Sequence, residues 1–408
     1  GKSYVKMGQT SSLSNNILID VARSHTILIS GKKGSGKSYS ISVIAEEIAN
    51  LPEDVSNNLA VLIFDTMGIF WSMKYPNFSQ VDELRMWGLE PKGLKVNVYI
   101  PKGKFQEYKE KNINVDYSFS IKPNELTAED WCNVFQIKIT DNIGILIEKI
   151  LTKLKFDYDI NDIIFEIRKD NSFDQLTKNA TENRFQSVKN WGLFDVEGFE
   201  IKELIKGGKV SILDLSAYDD WNIKSLVVGI VSKKMFNERV TARKQEEVQE
   251  IEYGQHYLSL EREEKLETPL VWIFIDEGHE FLPREGKTPA TDALTQLIKE
   301  GRQPGISLVL ATQQPGEIHR DVITQSDIVI SHRVTAKPDI EALNMINQTY
   351  LTSSILSNLN NLPKVKGAAI ILDDNSERIY SIKVRPKMSW HGGDTPSAVK
   401  VKKQILEI

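Results

Sequence analysis

Thr26-Ile-Leu-Ile-Ser-Gly-Lys-Lys-Gly-Ser-Gly-Lys-Ser-Tyr39, continued by Ser40-Ile-Ser-Val-Ile-Ala-Glu-Glu-Ile48, decides how this chain folds. An apolar strand, Ile27–Ser30, feeds the loop Gly31–Ser38. A helical pattern with apolar Ile41, Ile44, Ala45 and Ile48 then follows. Glycines let successive backbone N–H groups turn inward around a phosphate, and the helix start adds the positive end of its dipole. Lys37 has the reach for β- and γ-phosphates, and the Ser38 hydroxyl is an oxygen of the type that ligates Mg2+. A side chain at Gly36 would block that approach. The nucleotide-binding set is therefore Gly31, Lys32, Lys33, Gly34, Ser35, Gly36, Lys37, Ser38 and Tyr39, with ATP and Mg2+ as the ligands expected.

Composition bounds what surrounds this loop. A chain of 408 residues accommodates one large α/β domain with insertions, or two domains. Its 40% hydrophobic and 26% charged residues match a soluble globular protein. The single cysteine, Cys132, rules out a disulfide within the chain and reads as a small buried apolar side chain. Apolar runs such as Leu270–Ile275 have the length of buried strands, not of membrane spans, so a cytoplasmic location is expected. The net charge of −5 does not advertise nucleic-acid binding, yet a ring can confine its basic residues to a central pore. The chain starts at Gly1 with no initiator Met, which leads us to expect a segment upstream.

Along the chain, Asn16–Asp20 reads as a short strand. Leu59–Phe64 is a continuous apolar run of the kind a parallel strand covered on both faces shows. It ends at Asp65, which is either an acid near Mg2+ and water or a turn residue. Val96–Ile100 reads as another strand, and Leu126–Asn190 reads mostly as amphipathic helices, with a core stripe at Ile143, Leu146, Ile147, Ile150, Leu151 and Leu154. A strand returns at Val210–Leu213, closed by Asp214. Ile223–Arg243 then reads as a helix, and its continuation to Glu267 is densely charged, as a solvated face is.

Pro269–Ile275 is an apolar strand ending in Asp276 and Glu277. Downstream of a phosphate loop such a pair gains meaning: Asp276 is placed for the Mg2+ ligand sphere and Glu277 for polarising the attacking water. Asp292–Glu300 reads as a helix stopped by Gly301. The next strand, Ile306–Ala311, ends in Thr312 and Gln313, whose amide suits a sensor of the γ-phosphate or water. Ile328–Ser331 is followed by His332, read as structural, and Arg333. Arg333 and Arg302 are the arginines whose positions suit transition-state charge, in the same or a neighbouring subunit, with surface ion pairing as the plain alternative. Helices at Lys337–Ile346 and Thr352–Leu359 and a hairpin of Ala368–Leu372 with Arg378–Val384 complete the pattern. Arg385–Ser397 reads as an irregular arm able to reach a neighbouring subunit.

This ordered set, GKKGSGKS (31–38), FDTMG (64–68), IFIDEGHEFLP (273–283), IKEGRQPGISLVLATQQPGEIH (298–319) and SDIVISHRVTAKPDIEAL (326–343), resembles the archaeal HerA-like group within the HerA/FtsK branch of RecA-like ATPases. The resemblance runs from about Asn16 to Arg385. It implies an α/β, RecA-like P-loop fold with a mostly parallel sheet, a helical insertion and a C-terminal hairpin and arm. The corresponding divisions are 1–100 with 207–385 as core, 101–206 as insertion and 386–408 as arm. It also implies a homo-oligomer, a hexameric ring that hydrolyses ATP at subunit interfaces and moves double-stranded DNA, with a nuclease or other effector protein as a possible partner. By position, Lys37, Ser38, Asp276, Glu277 and Gln313 match the family's nucleotide residues, and Arg302 and Arg333 match arginines of its later motifs.

Two departures stand out. HerA proper carries a β-barrel before this loop, where about two dozen residues stand in this sequence. The family's Asp-x-x-Gly-Glu reads Asp65-Thr-Met-Gly68-Ile69. A nucleotide-gated scaffold or effector-partner ATPase and a secretion or pilus-type motor are the alternative readings. For pore-lining positions the basic candidates are Lys92, Lys95, Arg284, Lys287 and Arg320.

Overall fold

Apolar runs of five to seven residues, too short for helices and too uniform for a one-sided sheet, demand strands covered on both faces. The computed structural model, which describes residues 1–7, 10–155, 157–256, 266–346 and 355–393, places them at the centre of one 12-stranded sheet. The strands are β1 (Lys2–Met7), β2 (Thr10–Asn16), β3 (Thr26–Ser30), β4 (Leu59–Asp65), β5 (Val96–Pro101), β6 (Tyr117–Phe119), β7 (Val210–Asp214), β8 (Leu270–Ile275), β9 (Ile306–Thr312), β10 (Ile328–Ser331), β11 (Ala368–Asp373) and β12 (Arg378–Lys383). Their spatial order is β2-β1-β12-β11-β10-β3-β9-β8-β4-β7-β5-β6. From β10 to β6 every pairing is parallel, and from β10 outward to β2 every pairing is antiparallel. β3, β4, β7 and β9 are buried at every position.

Alternation sorts each strand's side chains between two cores. Ile27 and Ile29 of β3, with Trp272 and Phe274 of β8, pack beneath the helix Lys37–Ala49. Leu28, Leu62 and Phe64 face the other way, into the larger cluster. There the helices Ala128–Val134, Asn142–Lys153, Ile160–Lys169 and Gln175–Lys189 pack, and Leu146, Ile147 and Ile150 of the expected stripe are fully buried. Capping boxes at Thr127/Asp130 and Asp159/Asp162 start two of these helices. The segment also contributes β6, which extends the sheet beside β5.

Several sequence expectations change. Asn16–Asp20 is not a strand: the chain pairs earlier, in the polar hairpin of β1 and β2, which ends at Asn16. Ile17 and Ile19 instead lie partly buried against the core beneath the first helix, and the Asp20 carboxylate accepts the Ala22 N–H in a turn. The helix from Trp221 runs to His256, well past Arg243. Its Arg239 is fully buried and donates to the carbonyls of Pro304 at 2.8 Å and Thr268 at 2.7 Å and to Glu246 at 2.9 Å. Residues 257–265 of the charged stretch, 352–354 of the expected helix Thr352–Leu359 (seen as Ile355–Asn361) and 394–408 of the arm lie outside the described residues.

The described part of the arm docks on its own chain. Glu46, on the first helix and fully buried, accepts hydrogen bonds from Arg385 at 2.8 Å, Met388 N–H at 3.1 Å, Ser389 N–H at 2.9 Å and the Ser389 hydroxyl. Asn77 and Lys92 N–H groups reach the Met388 carbonyl from the other side, at 2.8 and 2.9 Å. A carboxylate stripped of water holds this segment because every lone pair direction finds a donor. Arg385→Ala would leave Glu46 uncompensated, and we expect a loss of about 3–5 kcal/mol in urea unfolding. Arg243→Ala, which removes solvent-facing ion pairs with Glu246, Glu247 and Glu250 on the long helix, is expected to cost under about 1 kcal/mol in the same measurement.

Candidate nucleotide site

The phosphate loop leaves the carboxyl end of β3, between β10 and β9. Gly31, Gly34 and Gly36 hold φ of 154°, 74° and 114°. At Gly31 an added Cβ would lie 2.5 Å from Ser35 Oγ and 2.7 Å from His332 Cβ, so only glycine lets the loop close there. His332 lies behind the loop, fully buried. Its Nδ1 donates to the Ala368 carbonyl at 3.1 Å, leaving Nε2 to accept the Ser40 hydroxyl at 2.9 Å. Burial pushes His332 down to about 4, so the ring is neutral and structural, as the sequence suggested. The Lys32 N–H bonds to the Arg333 carbonyl at 3.0 Å, and the Lys37 ammonium rests 3.3 Å from the Lys32 carbonyl. Burial lowers the Lys37 pKa, against the pull of Asp276 and Glu277.

Across the cleft, β8 ends in Asp276, whose Oδ2 accepts the Ser38 hydroxyl and whose Oδ1 accepts the Glu277 N–H at 2.9 Å. Glu277 has a left-handed backbone, φ 53°, which swings its side chain towards β9. There Gln313 Nε2 donates to Oε1 at 2.8 Å, while Oε2 is buried with no hydrogen-bond partner among the described residues. Burial, reinforced by Asp276, raises the Glu277 pKa, and Lys37 and Gln313 oppose that rise. Such a carboxylate is a stronger base than an exposed one.

Lys37, Ser38, Asp276, Glu277 and Gln313 are thus brought together, and Arg333 begins the segment beside them with an exposed side chain. Arg302 is not. It precedes β9, at the opposite edge of the sheet, where its guanidinium pairs with buried Asp327 at 3.0 Å. Tyr39 keeps its backbone N–H in the first helical turn, but its side chain turns away: the hydroxyl donates to Gln80 at 2.9 Å and accepts the Lys387 N–H at 2.5 Å, and the ring meets His391 edge-on. Lys92 and Lys95 also lie at the sheet's far edge, just before β5, whereas Arg284 and Arg320 flank adjoining loops joined through Pro283 and Ile318. Lys287 pairs with Asp292 at 2.9 Å.

Of the two roles open to Asp65, the structure gives the turn. Its fully buried carboxylate accepts the N–H groups of Gly68, Ile69 and Phe70 at 2.8, 3.1 and 2.8 Å. Burial, then the neighbouring Asp214, pushes it up to about 7. The sequence reading missed His279. This side chain touches Thr312 Oγ1 at 3.1 Å and lies 3.7 Å from Glu277 Oε2, and the available signal was a histidine in the turn directly after the acid pair.

A hydroxyl oxygen in contact with a carboxylate is a hard-oxygen donor pair that suits Mg2+. That ion binds through one or two protein oxygens and fills its octahedron with phosphate oxygens and water. Among the described residues no group of three or more His, Cys, Asp or Glu is assembled to hold a metal alone.

The order β10-β3-β9-β8-β4, with the phosphate loop after β3, the acids after β8 and the glutamine after β9 between them, defines a RecA-like P-loop ATPase. Residues 5–235 match the family described as "Helicase HerA, central domain", and the chain belongs to that family. It is 23% identical over 380 residues to the DNA double-strand break repair helicase HerA of Pyrococcus furiosus, covering 86% of this chain and 64% of that protein. It is 20% identical over 385 residues to the HerA of Sulfolobus acidocaldarius, covering 94% and 69%. The chain therefore spans about two thirds of the length of these relatives. In fold it is similar to VirB4 of Thermoanaerobacter pseudethanolicus, with a TM-score of 0.55 at 13% identity over 95% of this chain and 97% of that one. No helix among the described residues is long and apolar enough to cross a membrane.

His332 makes a pH prediction. Its folded pKa lies below the ordinary 6.5, so its contribution to stability is complete above pH 6.5 and is lost as pH falls towards 4. The contribution is about 3 kcal/mol. His332→Asn, whose amide can replace the bond to the Ala368 carbonyl, is expected to flatten the fall of unfolding free energy over that interval in urea titrations at stepped pH.

Proposed function

We propose that this chain is an ATP-driven motor that translocates double-stranded DNA, working as a closed ring of identical copies, hexameric, with ATP hydrolysed where neighbours meet. The observation that carries this reading is the convergence of Ser38 with Asp276 and of Gln313 with Glu277 beside the phosphate loop. It occurs in a chain of the HerA helicase family. In this reading residues 1–100 and 207–385 are the motor core, 101–206 an insertion and 386–408 an arm.

The loop N–H groups from Gly31 to Tyr39 cradle the phosphates, and Lys37 pairs with their β- and γ-oxygens. Ser38 and Asp276 would hold Mg2+, which would draw off charge that builds on the phosphate oxygens. Glu277 takes the proton of the attacking water, and Gln313 fixes the carboxylate that does so. Arg333 belongs to the edge where a neighbour's residues meet this nucleotide. Arg302, at the opposite edge, serves the neighbour's site. Arg284 and Arg320, on their paired loops, are the basic positions assigned to the DNA phosphates.

The test is native mass measurement with and without a non-hydrolysable ATP analogue and linear duplex DNA, followed by ATPase assays on the same sample. We expect six-fold assembly with nucleotide and several-fold stimulation by duplex. A monomer under all conditions, or no response to duplex, would refute the ring or the DNA reading respectively. Glu277→Gln is expected to retain nucleotide binding by equilibrium dialysis while turnover falls about 100-fold or more.

A further inference from the structure

Glu277 is only half restrained. Gln313 fixes Oε1, whereas Oε2, the oxygen left to meet a water, is buried and unpartnered. A carboxylate held at one oxygen still rotates about its last bond, and a base misplaced by about 1 Å loses about 100-fold in rate. His279 Nδ1 lies 3.7 Å from Oε2.

That imidazole is itself well fastened. It is 10% exposed, its Nδ1 lies 3.1 Å from Thr312 Oγ1, and the Gln314 amide nitrogen faces its Nε2 at 3.4 Å. The Gln314 amide nitrogen donates to Nε2, and the Glu280 carboxylate oxygen on the same side stands farther off, at 3.6 Å, so we assign the ring proton to Nδ1, between Thr312 and Glu277. Thr312 in turn accepts the Gln314 N–H at 3.0 Å, which closes the end of β9 around the ring. The ring therefore presents an N–H towards Oε2 from a mount shared by β8 and β9.

We propose that His279 is a positioning residue for hydrolysis. Its Nδ1–H steers Glu277 Oε2, so that one lone pair of that oxygen is held by the ring and the other is aimed at the attacking water. The 3.7 Å separation shortens when the nucleotide packs the site, as catalytic hydrogen bonds commonly do. This inference rests on Glu277 acting as the base.

The experiment is steady-state ATPase kinetics on the full chain for wild type, His279→Ala, His279→Asn, Glu277→Gln and the Glu277→Gln/His279→Ala pair, each with its melting temperature. We expect His279→Ala to lower kcat about tenfold to 100-fold with KM for ATP within about twofold, since nothing in the nucleotide's ground-state contacts is removed. His279→Asn, whose amide can occupy the place of Nδ1, should recover much of that loss. In the Glu277→Gln background the histidine change should have no further effect, because residues that act as a unit are not additive. An unchanged kcat in His279→Ala, a parallel rise in KM, or an equal loss in the Glu277→Gln background would each overturn the proposal. If His279→Ala melts early, the Asn variant and the double-mutant comparison, read below its melting point, still decide. Failure of the underlying reading looks different: Glu277→Gln itself would turn over like wild type.

Discussion

The nucleotide site depends on β9 lying between β3 and β8. Neighbouring strands are about 4.8 Å apart, so the phosphate loop and the acid pair are held about 10 Å apart at the sheet's carboxyl edge. That gap is wide enough for phosphates and an ion, and narrow enough for Ser38 and Asp276 to touch across it. The intervening strand is not a spacer alone, since it ends in Gln313 and Thr312, which reach Glu277 and His279. Its other end is fixed just as firmly. Arg239, buried in the long helix, grips the Pro304 carbonyl, and Gly305 at φ 85° lies where a Cβ would approach Leu270 within 2.4 Å. The register of β9, and with it the Gln313 amide, is therefore secured from the far edge of the sheet.

Buried carboxylates do the remaining positioning, Asp65 with N–H groups of its own turn and Glu46 with donors far along the chain. Asp65 folds the loop after β4 around its own oxygens, and this leaves Ile69 to pack against the core beneath the first helix. The acid that the family pattern puts at that position therefore has no counterpart here, and an apolar contact stands in its place. Glu46 draws Arg385 and the segment to Ser389 across the first helix. The same segment supplies the N–H that holds the Tyr39 hydroxyl. The helix that begins at the phosphate loop is thus clasped along one side by the segment from Arg385 to Ser389.

What was legible in the sequence follows from locality. The loop, the strand ends and the acid pair are contiguous words whose chemistry is set by residue type and spacing, so Lys37, Ser38, Asp276, Glu277 and Gln313 could be picked before any fold was known. The hairpin of β1 and β2 was not, because Thr10–Asn16 is polar and pairs through its backbone, which hydrophobic patterning does not register. Glu46 was not singled out, since its partners lie 339 to 343 positions away. His279 was passed over for a related reason: its use appears only when β9 brings Thr312 and Gln314 against it.

The positions of the two arginines bear on the proposed ring. β9 has seven residues, so Arg302 before it and Gln313 after it are about 20 Å or more apart, farther than an arginine side chain extends. Arg302 cannot meet its own nucleotide by any local motion that keeps β9 in the sheet. Arg333 begins on the nucleotide side, but its carbonyl is tied to Lys32 and its side chain points into solvent. In the proposed ring, a charge supplied to the phosphates from outside the protomer comes from a second copy. Two different edges of the same sheet meeting head to tail form a heterologous contact, which repeats until it closes on itself. In the proposed ring, that contact is what would give Arg302, paired with Asp327 within its own chain, a phosphate to act on.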